Sequence, residues 1–345
     1  MKAGIVGATG YGGIELFRLL NDHPHIESLT LFSSSQAGEE FENIYQQLNI
    51  GSNHILQDVE PDRMKDEFDV IFLATPAGVS SKLTPNLRGG HAKVVDLSGD
   101  LRLADPSDYT QWYKKDPAPS EVLQDAVYGL PEWNDAEISG AEVIANPGCY
   151  PTATLLGLGP VIKEQLVDPS SIIVDAKSGV SGAGKNPNPL THFAHTQENF
   201  QIYKVNQHQH IPEIEQQLKR WDDHARPITF STHLVPMTRG IMATIYGTLN
   251  KDQSVQDVLE VYQSYYKDQP FVRIREEGQF PCTKDVYQTN YCDIGIAVDE
   301  RTNRITIVSV IDNLMKGAAS QAIQNMNLLF GLEETAGLPR YPLYP

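Results

Sequence analysis

Apolar and polar positions divide the chain into two halves with different patterns. Lys2 to Val6 reads as a short buried strand, and Gly7-Ala8-Thr9-Gly10-Tyr11-Gly12-Gly13 follows it directly. Ile14, Leu16, Phe17, Leu19 and Leu20 then recur at helical spacing, up to Asn21-Asp22-His23-Pro24. Further strands are predicted at Ile26 to Phe32, Asp69 to Ala74, Lys93 to Asp96 and Val143 to Ala145. Short apolar strands alternating with helices predict an α/β fold built on a parallel, doubly wound sheet. Beyond residue 149 the pattern changes. A helix is expected from about Pro151 to Gln165, a strand from Ser171 to Ala176, and an aperiodic loop from Ser178 to Pro187. Ile211-Pro212-Glu213 opens another helix. Ile228 to Val235, Ile241 to Leu249, Tyr291 to Val298 and Arg304 to Ile311 predict strands of an antiparallel or mixed sheet. Their alternation is clearest from Ile305 to Val310. Lys316 to Phe330 reads as a last helix, and Leu338 to Pro342 as irregular chain.

The glycine run sits directly after a strand and directly before a helix. Glycine permits positive φ and lets a diphosphate approach the backbone, where the N–H groups of a helix N-terminus receive it. Gly7, Ala8, Thr9, Gly10, Tyr11 and Gly12 are therefore candidate dinucleotide contacts. An NAD enzyme places an acidic residue at the end of its second strand to hold the ribose hydroxyls. Here Ser33, Ser34 and Ser35 stand at that point. Hydroxyls donate to a 2′-phosphate and no carboxylate repels it, so NADP is expected over NAD.

The second candidate centre is Asn146-Pro147-Gly148-Cys149-Tyr150-Pro151-Thr152. Cys149 lies between a strand's carboxyl end and a helix N-terminus, whose partial positive charge favours a thiolate. His208 and His210, two apart, fall on one face if the segment is extended. Histidine is the usual acid–base partner of a nucleophilic cysteine. His208 is the expected one, because His210 stands where its nitrogens would serve the turn into the next helix. No further His/Cys cluster completes a metal site. Arg102, Lys185 and Arg239 occupy glycine- or turn-rich contexts and are candidate phosphate or carboxylate ligands.

Composition narrows the classes. A chain of 345 residues is long enough for two domains, and a formal net charge of −17 argues against a nucleic-acid surface. Three cysteines, Cys149, Cys282 and Cys292, are too few for a disulfide framework and point to a reducing, cytoplasmic setting. No secretory leader pattern opens the chain, and no apolar run approaches the ~18 to 20 residues of a membrane span.

With these segments named, the chain resembles the N-acetyl-gamma-glutamyl-phosphate reductase family, NADPH-dependent enzymes of arginine biosynthesis. The resemblance runs almost end to end. It is carried by Gly7-Ala8-Thr9-Gly10-Tyr11, by Asp96-Leu97-Ser98-Gly99-Asp100-Leu101-Arg102-Leu103 and by Tyr128-Gly129-Leu130-Pro131-Glu132. The stretch around Cys149, Ser178-Gly179-Val180-Ser181-Gly182-Ala183-Gly184, His208-Gln209-His210-Ile211-Pro212-Glu213 and Ile311-Asp312-Asn313-Leu314-Met315-Lys316-Gly317-Ala318 complete it. Lys185 and Gln209 stand where the family commonly has Arg.

The resemblance implies a Rossmann-type NADP-binding domain over residues 1–148, completed by a C-terminal helix at 314–330, and an α+β catalytic and dimerisation domain over 149–313. It implies a homo-oligomer, further cofactor contacts at Thr75, Pro76, Ser178, Gly182 and Asn313, and substrate contacts at Arg102, Lys185, His210 and Arg239. The implied reaction reduces an acyl phosphate to a semialdehyde through a thioester on Cys149, with His208 aligned to the family's catalytic histidine. Aspartate-semialdehyde dehydrogenase and a carrier-bound aminoadipyl-phosphate reductase run the same chemistry on other acyl groups. A non-catalytic NADP-sensing module would keep the glycine loop and have no need of Cys149 or His208.

Overall fold

The strands come first from apolar runs buried on both faces. In the computed structural model, which describes residues 1–48 and 53–344, β1 (Lys2–Val6), β2 (Ser28–Phe32), β3 (Val70–Leu73), β4 (Lys93–Asp96), β5 (Ala126–Tyr128) and β6 (Val143–Ala145) form one sheet. Its order is β2-β1-β3-β4-β6-β5, and every pairing is parallel. All four residues of β3 are buried, as expected where helices cover both faces of a parallel sheet. The register brings Phe32, Val6, Leu73, Asp96, Ala145 and Tyr128 into one row at the carboxyl ends. The chain runs outward from β1 to β2, then crosses back past β1 to β3. The β1–β3 edge is therefore the switch point at which open α/β sheets take ligands. Residues Met1–Pro147 and Ala318–Leu338 make up this unit, and the Ser320–Leu329 helix packs within it.

The second unit comprises Gly148–Gly317 and Pro339–Pro345. Among the described residues its sheet contains β7 (Ile173–Gly179), β8 (Gln201–Tyr203), β9 (Thr229–Val235), β10 (Ile241–Thr248), β11 (Val272–Ile274), β12 (Cys292–Asp299) and β13 (Arg304–Ile311). The order is β11-β12-β13-β10-β7-β9-β8; β7 with β9 and β11 with β12 run parallel, and the other pairs antiparallel. Burial alternates strictly along β10, so one face packs and the other is half-exposed.

The Cys149–Lys163 helix covers the packed face. Every residue from Tyr150 to Ile162 is buried, which suits a helix apolar on all sides. Gly157 lets it approach the sheet: a Cβ there would lie 3.0 Å from Ile245 and 3.2 Å from Ser309. Pro160 has no N–H for the Leu156 carbonyl. The Tyr266 hydroxyl supplies that bond, and Tyr262 donates to Gly157 from the same helix, Val255–Tyr266.

Several boundaries differ from the sequence reading. The helix after the nucleophile begins at Cys149 and not at Pro151, because Pro151 is tolerated anywhere in a first turn that has no intrahelical N–H bonds. The last helix does not run unbroken from Lys316. Met315–Ala319 is a π-helical turn, closed by the Gly317 N–H on the Asp312 carbonyl, and the α-helix starts at Ser320. Strands β5, β8 and β11 were not expected; each has three residues, too short for alternation to show.

Candidate active site

In the first unit the glycine loop takes its shape from two contacts. Gly7 has φ +82°, and a Cβ there would lie 2.5 Å from the Ala74 carbonyl oxygen. A Cβ at Gly13 would overlap the Gly7 carbonyl. These two glycines are required by the chain's own packing. Gly10 and Gly12 are not: added Cβ atoms would meet only ordinary contacts at 3.5 and 3.9 Å. The first turn of the Tyr11–Leu20 helix holds no acidic residue, and Gly10 caps it without a side chain. Across the switch point, the Thr75 hydroxyl is buried without a hydrogen-bond partner. An open helix N-terminus, two glycines the packing does not need and an orphaned hydroxyl fit a dinucleotide diphosphate. Ala8 is buried, Thr9 accepts a hydrogen bond from Tyr45 through its carbonyl, Pro76 is exposed beside Thr75, and Tyr11 is half in solvent. After β2, Ser33 is buried and its N–H donates to Gln57, whereas Ser34 and Ser35 are exposed.

Arg102, a candidate substrate cation, is anchored by backbone carbonyls. It is buried, with Nε donating to the Asn146 carbonyl and Nη2 to the Leu97 carbonyl, both at 2.8 Å. Its guanidinium ties together the segments that leave β4 and β6. Burial, reinforced by the Asp100 charge, pushes the Asp96 carboxyl up to about 6.

In the second unit, Cys149 is the first residue of its helix and partly exposed. No acidic residue stands in that first turn. The turn is held by Glu213, fully buried, whose carboxylate accepts the Gly148 N–H at 2.8 Å. Gly317 closes the other side: a Cβ there would lie 2.7 Å from the Cys149 Cβ. Neither Glu213 nor Gly317 was singled out from sequence. The signal was their place inside recurrent motifs, with nothing local to say what they touch.

The histidines are not in an extended run. Gln209 has αR geometry and His210 opens the His210–Trp221 helix, so the two rings pack edge to face at 4.7 Å. The His208 Nδ1 accepts the His210 N–H at 3.1 Å. A neutral His208 must then carry its proton on Nε2, which lies 3.5 Å from the Tyr203 hydroxyl. Tyr203 in turn donates to the Tyr150 hydroxyl at 3.2 Å, and Tyr150 packs against both imidazoles. Burial, with the Lys204 charge adding to it, lowers His208 to about 3. Burial also raises Tyr203 to about 12 and Tyr150 further still.

The His208 shift has a consequence for stability. In the unfolded chain the imidazole binds a proton below about pH 6.5; in the folded chain it resists until about pH 3. Stability is therefore complete above pH 6.5 and is lost as pH falls through that window, by about 1.4 kcal/mol per pH unit from this group. Asp96, raised from 3.8 to about 6, works in the opposite sense, since the folded form holds its proton between those values. Urea midpoints measured from pH 7 to pH 4 should fall less steeply in His208→Asn than in the native chain. Parallel curves would remove His208 from the acid response.

The Val180–Ala183 turn is braced by the segment before β10. Val180 and Ser181 donate to the Met237 and Thr238 carbonyls, and Gly179 pairs with Gly240. Asn313 bridges the two pieces, accepting the Gly240 N–H at 2.7 Å and donating to Ser181 at 3.0 Å. Ser178 is buried and donates to the Gly179 carbonyl, and a Cβ on Gly182 would touch both Ser178 and Asn313. The structure thus brings Ser178, Gly182 and Asn313 together. Arg239 lies 3.8 Å from the fully buried Asp312. Lys185 is exposed in the following segment. Cys292 is buried beside Ser309, and Cys282 is exposed at the cap of a 3₁₀ turn, a setting not expected from sequence. Among the described residues, no group of three or more His, Cys, Asp and Glu is placed to hold a metal ion. No helix among them is long and apolar enough to cross a membrane.

A parallel-sheet unit with an open glycine loop, in one chain with a mixed-sheet unit that opens on a helix-capping cysteine, defines the semialdehyde dehydrogenase class. Residues 2–141 match the family described as "Semialdehyde dehydrogenase, NAD binding domain", and residues 149–313 "Semialdehyde dehydrogenase, dimerisation domain". The fold is similar to that of aspartate semialdehyde dehydrogenase II from Vibrio cholerae, with a TM-score of 0.74, 19% identity, and 96% of this chain and 98% of that one covered. The chain is 56% identical to the N-acetyl-gamma-glutamyl-phosphate reductase of Geobacillus sp. (strain WCH70) and 55% identical to that of Bacillus subtilis (strain 168). Each comparison covers 100% of both chains. The chain belongs to the N-acetyl-gamma-glutamyl-phosphate reductase family.

Proposed function

We propose that this chain reduces N-acetyl-L-glutamyl 5-phosphate to N-acetyl-L-glutamate 5-semialdehyde and phosphate, with NADPH as reductant. The observation that carries the reading is Cys149 itself: a partly exposed thiol at a helix N-terminus whose turn is fixed by buried Glu213. The Cys149 thiol gives its proton to an imidazole, and the thiolate attacks the acyl carbon. The carbon–oxygen bond to phosphate breaks, phosphate leaves with the electron pair and takes that proton, and a thioester remains on Cys149. NADPH, when bound, supplies the hydride that reduces the thioester carbonyl. The resulting thiohemiacetal alkoxide expels the Cys149 thiolate and releases the aldehyde, and the thiolate takes its next proton from water.

Both duties of the imidazole need a nitrogen that can take up a proton and return it. His208 has one nitrogen committed to the His210 N–H and stays neutral at working pH, so the proton passes through His210, with His208 holding the turn. Arg239 and Lys185 are the cations for the substrate's phosphate and carboxylate, and Arg102 shapes the loops at the strand ends. Thr75, Pro76 and the glycine loop meet the dinucleotide, with Ser178, Gly182 and Asn313 forming a second group of contacts. The chain works as a homo-oligomer in the cytoplasm, a reading supported by the matched dimerisation family and by three cysteines outside any disulfide.

The discriminating assay runs the reverse reaction, with phosphate and NADP, on N-acetylglutamate semialdehyde and on aspartate semialdehyde. A higher kcat/KM for aspartate semialdehyde would refute the substrate assignment. For the cofactor, exposed Ser34 predicts a strong preference for NADPH. Ser34→Asp should cost about 1.5 to 3 kcal/mol in NADPH binding, roughly tenfold or more, and spare NADH. Equal kcat/KM for both cofactors in the native chain overturns this reading.

A further inference from the structure

We infer that Asp100 is a positioning residue for the dinucleotide, acting through the segment that follows β3; this rests on the proposed NADPH reading of the first unit. Asp100 is fully buried, and its carboxylate accepts hydrogen bonds from four residues. The Gly78 N–H reaches both oxygens at 2.8 Å, the Ser81 N–H reaches Oδ2 at 2.9 Å, and the Ser80 and Tyr109 hydroxyls donate at 3.2 and 2.6 Å. A carboxylate saturated in this way is held in one orientation, and it holds the backbone of residues 78–81 in return.

That backbone is the far wall of the glycine loop. The segment leaves β3 at Ala74, whose carbonyl would meet any side chain at Gly7, and continues through Thr75 with its unpartnered hydroxyl. At Gly78 it turns with φ +87°, where a Cβ would press on Lys115, itself bonded to the Ala77 carbonyl. Asp100 thus fixes one end of a short strap whose other end lines the switch point.

The carboxylate does a second thing. Two helices start after the carboxyl ends of β1 and β3, Tyr11–Leu20 and Ser80–Leu87. Asp100 sits at the second, accepting the Ser81 N–H of its first turn and countering its partial charge. Only the first is left open to an anion, so Asp100 also decides which helix receives the diphosphate.

The network reaches deeper than the strap. The Ser80 and Ser98 hydroxyls lie 2.7 Å apart, and Ser98 donates through both N–H and Oγ to Asp96 at the end of β4. Two adjacent buried carboxylates are costly to keep in a fold, and no step of the proposed chemistry uses either one. Holding the strap accounts for Asp100.

The test uses the full-length enzyme. Asp100→Asn keeps the shape but places an amide donor where only acceptors fit. NADPH binding is titrated by cofactor fluorescence, and KM values for NADPH and for the acyl phosphate are measured separately. The expected result is a tenfold or greater rise in Kd and KM for NADPH, with KM for the acyl phosphate and kcat at saturating NADPH within threefold of native. A merely structural role would raise both KM terms and lower kcat together, or change none. An unchanged NADPH Kd in folded Asp100→Asn, or a parallel loss of affinity for both ligands, overturns the inference. Should Asp100→Asn not fold, Tyr109→Phe, which removes one donor, decides: a rise of NADPH KM alone by about threefold supports it, and an unchanged NADPH KM overturns it. Failure of the native chain to bind NADPH is a different result; it removes the cofactor reading and is seen before any variant is made.

Discussion

Cys149→Ser should lower kcat/KM by roughly 10⁴-fold or more while leaving NADPH binding intact, the order of loss that removal of a covalent nucleophile produces. Serine preserves size and hydrogen bonding at the helix N-terminus, so the Gly148–Glu213 bond and the packing against Gly317 should survive. What is lost is a thiolate able to form and release a thioester near neutral pH. Alkylation gives an independent reading. Cys282 is exposed and will take up iodoacetamide as well, whereas Cys292 is fully buried. Total labelling is therefore uninformative, and activity loss must be compared with occupancy at each cysteine by peptide mass spectrometry. Inactivation should track Cys149 alone, and Cys282→Ser should remain active. If activity follows the label on Cys282, the covalent mechanism is assigned to the wrong thiol.

The second large effect separates the paired histidines. His210→Asn should lower kcat by 10²- to 10⁴-fold, the contribution typical of a positioned acid–base group. His208→Asn should stay within about tenfold of native. Its Oδ1 can still accept the His210 N–H that His208 Nδ1 accepts now, so the turn into the His210–Trp221 helix is retained. A base needs an open lone pair, and in His208 the pair on Nδ1 faces a backbone donor while Nε2 bears the proton. A collapse in His208→Asn with an active His210→Asn would reverse the assignment and show that the ring reorients during turnover. Activity in both would send the proton to water.

Much of this protein was written locally. The parallel sheet follows from apolar runs such as Val70–Leu73 punctuated by turns, and the glycine loop from residues whose absent side chains are themselves the signal. Cys149 was legible because a Pro-Gly turn, then Pro151 and an apolar run, predict the thiol at a helix start, where it lies. Tertiary structure decided whatever depends on a partner distant in sequence. Glu213 reads as an ordinary first-turn acid of its own helix until it is seen accepting the Gly148 N–H. Nothing in the sequence around Arg102 says that its Nε and Nη2 donate to the carbonyls of Asn146 and Leu97. His208 and His210 are equivalent by spacing and are told apart only by which ring nitrogen meets a backbone donor. Side-chain identity and period fix which faces are buried, but the direction of a donor or a lone pair is set by the packing of segments the local pattern never sees.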